Sequence, residues 1–144
     1  MPRFMKLRTQ FPGVLLDVGE MKDYVHKVDA KIRRIKETYR SVKAGLAWKL
    51  EGPLVDDCIT YCVTRMNLRC TSALQGVMSP AFLFTGVKPN YQKVFGLAFG
   101  DYAEVYDGTT NTSKERSVPS IVLYPVGNAL GSWVFLNLLT KKHA

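Results

Sequence analysis

Between residues 22 and 43 the apolar positions Val25, Val28, Ile32, Ile35, Tyr39 and Val42 recur at alternating steps of three and four. That spacing lines them along one stripe of a helix. Lys27, Lys31, Arg33, Arg34, Lys36, Arg40 and Lys43 fall off the stripe, so the helix is expected to turn an apolar seam inward and a cationic surface outward. Gly45 and the Gly52-Pro53 pair end this pattern and open the next. The second helix should run from about Pro53 to Leu68, where Leu54, Val55, Cys58, Ile59, Tyr61, Cys62, Val63 and Met66 make it apolar on most sides and mark it as the buried one of the pair. Ser79-Pro80 has the chemistry of a helix cap followed by proline in the first turn. A short third helix is predicted from there through Phe84, closed by Gly86, with Phe82, Leu83 and Phe84 docking it on the core.

Flanking regions follow a different period. Val14 to Val18 is an apolar run of strand length ended by Gly19. Beyond Gly100, strands are predicted around Tyr102 to Tyr106, Ser120 to Tyr124 and Ser132 to Leu138, separated by turns at Asp107-Gly108 and Val126-Gly127-Asn128. Thr109 to Glu115 reads as a polar loop. Tyr102, Tyr106, Trp133 and Phe135 are read as sheet core in preference to base-stacking platforms, and Tyr91 and Phe95 as packing the linker onto the helices. The fold class is therefore α+β, a helical part over residues 1–90 and a small β-rich part over 91–144.

Composition narrows the partners. The chain has 144 residues, and Lys and Arg outnumber Asp and Glu by 20 to 12, a net charge of +8 that favours polyanions such as nucleic acid. No apolar stretch approaches the roughly 18 residues of a spanning helix, and the start lacks the apolar region of a secretory signal, so the expectation is an intracellular chain, in cytoplasm or nucleus, without a membrane partner. Three cysteines, Cys58, Cys62 and Cys70, are odd in number, and neither His26 nor His143 lies near enough in sequence to complete a zinc set. They are expected to be reduced cysteines on an apolar face.

The run Ser79-Pro80-Ala81-Phe82-Leu83-Phe84-Thr85-Gly86-Val87-Lys88-Pro89-Asn90-Tyr91, followed by Val94-Phe95-Gly96, resembles the segment behind the catalytic core in integrases of copia-type retrotransposon Pol polyproteins. The resemblance extends from Val14 to Lys142. It takes in Val28-Asp29-Ala30-Lys31-Ile32-Arg33-Arg34-Ile35-Lys36-Glu37, then Tyr61 and Arg65-Met66-Asn67, then Phe99-Gly100, and finally Arg116 to Leu123, Gly127-Asn128, Gly131, Phe135-Leu136 and Leu138. It implies the last strand and helices of an RNase H-like integrase core followed by a small antiparallel β domain. In the family, DNA integration is a metal-dependent strand transfer in which carboxylates hold two cations about 4 Å apart. Magnesium is the cofactor implied for the intact enzyme.

Asp29 falls on the third family carboxylate, normally glutamate, and Ala30 on the arginine that follows it. The first two carboxylates belong to strands upstream of the stretch matched here; Asp17, by its spacing to the helix, lies on the last strand and supplies neither. Aspartate in place of glutamate withdraws the ligand by roughly 1.5 Å, and a misplacement of about 1 Å can cost on the order of a hundredfold in rate. The resemblance thus implies a degenerate, inactive integrase fragment that holds no metal, with Asp29 marking the catalytic and metal position and Lys27, Lys31, Arg34 and Lys36 set to contact DNA. Two other functions stay open beside it. One is a nucleic-acid-binding module without chemistry, and the other is a self-associating element that pairs through the Val25 to Val42 seam.

Overall fold

The computed structural model describes residues 21–70, 78–106, 108, 113, 115–128 and 130–143, with side chains from His26 onward. The strand expected at Val14 to Val18 and most of the loop expected at Thr109 to Glu115 lie outside the described residues. Four helices and three strands follow one another as α1 (Met21–Gly45), α2 (Leu54–Leu68), α3 (Pro80–Thr85), α4 (Tyr91–Val94), β1 (Tyr102–Tyr106), β2 (Ser117–Pro125) and β3 (Trp133–Asn137). The fold is α+β. By contacts the chain divides into two compact units, residues 1–34 and 35–144.

In the first unit the described part is the leading stretch of α1, in which every residue from His26 to Arg34 is exposed. In the second unit the later seam residues Tyr39 and Val42, with Leu46, pack against a core of Leu50, Cys58, Tyr61, Cys62, Phe99 and Leu123. Burying that half of the stripe is what stabilises a helix whose other faces are polar. α2 carries Asp56 and Asp57 in its first turn and Arg65 in its last, each sign complementing the helix dipole at that end. Its Cys58, Tyr61 and Cys62, spaced at three and four, place one face fully in the core.

α3 is set by local chemistry. Ser79 Oγ accepts from the Phe82 amide at 3.2 Å, Pro80 fills the first turn, and the Gly86 amide donates to the Phe82 carbonyl at 2.8 Å. Gly86 takes φ +71°, the left-handed conformation that closes helices at least cost when there is no Cβ. Phe82 is half-buried, but Leu83 and Phe84 do not dock on the core as the sequence suggested, since Phe84 is 94% exposed. Over so short a helix, consecutive residues point about 100° apart, so one anchored side chain turns the next two outward.

α4 was not anticipated. Asn90 caps it, its Oδ1 accepting from the Lys93 amide at 3.3 Å.

The three strands form one antiparallel sheet in the order β1-β2-β3. β1 meets β2 from Tyr102 opposite Ile121 to Tyr106 opposite Ser117. β2 meets β3 from Ser120 opposite Asn137 to Pro125 opposite Trp133, with a bulge between Val122 and Tyr124. Leu123 sits at that bulge and enters the core shared with α2, which Trp133, Val134 and Leu136 of β3 also pack against. The change of pattern near residue 91 thus falls inside the second unit, where α2 and the sheet share this core. Tyr102 and Tyr106 depart from the core role read for them. β1 is an edge strand whose outward face presents both rings, 63% and 59% exposed, with Glu104 between them.

Candidate nucleic-acid interface

The basic side chains of α1 are arranged by the helix itself. Lys27, Lys31 and Arg34 follow at steps of four and three and share one flank of the apolar stripe. Lys36 does not join them. It lies nine residues from Lys27, about two and a half turns at about 3.6 residues per turn, and so stands on the opposite flank. There it continues a second row, Arg33, Lys36, Arg40 and Lys43, again at three and four, which spans about 15 Å of helix length. All four are exposed, as are Lys27 and Lys31. The sequence already carried this division in its spacing; a plain count of cations concealed it.

Asp29 begins the second row, one turn before Arg33, and is exposed. Its neighbours one turn away along the helix are Val25, His26, Ile32 and Arg33, so a hard cation would find one carboxylate oxygen donor group beside a guanidinium. Among the described residues no group of three or more His, Cys, Asp or Glu side chains could hold a metal ion. Magnesium takes octahedral oxygen coordination through one or two carboxylates plus substrate phosphates. At Asp29 the described side chains supply one such carboxylate, with Arg33 one turn further along the helix.

Other cationic side chains are committed elsewhere. The Arg65 guanidinium lies over the Phe95 ring at 4.4 Å and near the Tyr61 ring at 5.3 Å, and donates to the Leu97 carbonyl at 3.3 Å. That arrangement ties α2 to the segment behind α4, and Tyr91 stacks on Phe95 at 6.1 Å, the linker packing the sequence suggested. Lys49 pairs with Glu51 at 2.6 Å. His143, near the end of the chain, reaches back to Asp57 of α2, Nε2 to Oδ2 at 3.2 Å.

The three cysteines carry free thiols, with Cys58 and Cys62 buried. Its hydrogen bond with Cys62, together with burial, pushes the Cys58 thiol well above its ordinary range, which makes it a poor nucleophile. Cys70 Sγ lies 3.4 Å from the Tyr91 hydroxyl. No helix among the described residues is long and apolar enough to cross a membrane. No protein-family model, curated protein or solved structure gives a significant match to the chain.

Proposed function

We propose that this chain is a degenerate C-terminal piece of a copia-type retrotransposon integrase, the end of an RNase H-like catalytic core followed by the small β domain, and that it contacts the nucleic-acid backbone without metal-dependent chemistry. The observation that carries the nucleic-acid reading is the exposed row Arg33, Lys36, Arg40 and Lys43 on one flank of α1. Tyr39 and Val42 anchor the same stretch of helix to the core. An anchored row of cations at helical spacing can neutralise several phosphates at once, and the released counterions supply affinity that falls with salt. The integrase reading is supported by the resemblance of the motifs and by an order of elements compatible with it: two long helices, a Ser79-capped short helix, the one-turn α4, then three antiparallel strands.

The chemistry of the site argues for contact alone. Asp29 offers a single carboxylate next to Arg33, and the shortened side chain would hold a cation off the position a glutamate reaches. Titrating fluorescent duplex DNA with the purified chain, with and without magnesium, tests the proposal. Binding that weakens steeply with salt and ignores magnesium is expected. Binding that requires magnesium, or none by a folded chain, would refute it.

A further inference from the structure

From His26 to Arg34 all nine consecutive helical residues are exposed, yet the sequence there is amphipathic. Val28 and Ile32, one turn apart on the apolar stripe, are 46% and 43% exposed. Later along the same stripe Tyr39 and Val42 are packed. A helix gains most of its stability from covering its apolar face, so a two-turn stretch left half exposed among the described residues calls for a partner. The charges on either side say which kind. Lys27, Lys31 and Arg34 border the stripe on one flank and Arg33 on the other, against the single carboxylate Asp29. A second copy of α1 would bring cations against cations along both borders, at a cost that grows as the seam closes.

We propose that the Val28 and Ile32 stripe is a docking site for an acidic amphipathic helix from another protein, whose apolar residues cover the stripe and whose Glu or Asp side chains meet Lys27, Lys31 and Arg33. Helix-in-groove recognition of this kind combines a few apolar anchors with flanking charges that set the choice of partner. Asp29 is the one misfit in the border and lowers the affinity for such a partner. The site does not rest on the DNA reading, although a bound acidic helix would cover Arg33 and so compete with phosphate there.

The test uses the full chain and a synthetic helix-forming peptide with Leu at its core-facing heptad positions and Glu at the flanking ones, read by fluorescence anisotropy at low salt. A counterpart with Lys at the flanking positions is the comparison. The Glu peptide is expected to bind saturably and the Lys peptide not at all. The double substitution Val28→Ser with Ile32→Ser should weaken binding by about tenfold or more, since two half-exposed apolar side chains lose their cover, with circular dichroism unchanged. Asp29→Lys should tighten it. The proposal is overturned if the Glu peptide binds equally well after the serine substitutions, which would reduce the effect to charge attraction. It is equally overturned if Asp29→Lys leaves the affinity unchanged, or if sedimentation shows the chain dimerising through Val28 and Ile32.

Discussion

Gly100 joins the segment behind α4 to the sheet, and adding one methyl group there should be felt across the core. Its amide donates to the Val122 carbonyl at 2.9 Å, and the Asp101 carbonyl accepts from the Val122 amide at the same distance. With φ at +90°, the residue occupies a conformation that costs an L-amino acid about 1 to 2 kcal/mol. A Cβ at this position would also lie 2.5 Å from Leu46 Cδ2 and 3.5 Å from the Trp48 ring. Leu46 is the mobile tip of a side chain packed on the core, so it can yield, but overpacking of this kind typically costs about 1 to 3 kcal/mol more. Gly100→Ala should therefore lose about 2 to 5 kcal/mol.

Gly127→Ala is the natural control. Its φ of +79° imposes a similar backbone cost, while nothing lies within 4 Å of the added atom. Urea unfolding followed by the fluorescence of Trp48 and Trp133 separates the two. At an m-value near 2 kcal/mol/M, Gly100→Ala should lower the midpoint by about 1 M or more and Gly127→Ala by roughly half of that. Equal losses in the two variants would refute the close approach of Leu46 to Gly100, and with it the packing of this corner.

Phe84→Ser should change stability by less than about 0.5 kcal/mol, because the ring stands in solvent; a loss above about 1 kcal/mol in thermal unfolding would mean that it docks on the core after all. Leu123→Ala, at a fully buried position in the shared core, should cost about 2 to 5 kcal/mol by the same measurement. His143→Ala should loosen the end of the chain and cost about 1 kcal/mol or less, seen as faster amide exchange at Leu136 to Asn137, since the imidazole is half exposed and its bond to Asp57 is only partly shielded. Cys58 keeps its proton in the folded chain at a pH where the unfolded chain releases it. The urea midpoint should therefore fall as pH rises above about 9, and fall less in Cys58→Ala; identical curves would remove Cys58 as the cause.

What the sequence made legible was whatever depends on near neighbours. The Ser79, Pro80 and Gly86 chemistry of α3 and the three-four rhythm of α1 are local, and the described structure carries both where they were expected. The cap that starts α4 is equally local. A helix of four residues is too short to show the three-four apolar rhythm that marks α1. Orientation relative to the rest of the chain was harder. Whether Phe84 or Phe82 faces the core depends on where α2 stands, and whether Tyr102 and Tyr106 are covered depends on what lies on the outer face of β1. Neither can be settled by residues within one turn or one strand. The pairing of His143 with Asp57, 86 residues apart in sequence, is of the same kind. In the candidate interface the identities of the cations were legible, and so was their division into two flanks once helical angle replaced simple counting.

The central claim is that the Arg33, Lys36, Arg40 and Lys43 row contacts phosphate. The most direct measurement is the salt dependence of duplex DNA affinity for the native chain and for a Lys36→Glu, Arg40→Glu variant. Each phosphate contact contributes about −0.9 to the slope of log affinity against log salt concentration. The native chain should show a slope of about −3 or steeper, and the variant, if circular dichroism confirms its fold, should lose about two units of slope along with most of its affinity. An unchanged slope in a folded variant would contradict the account and move any nucleic-acid contact away from this face of the helix.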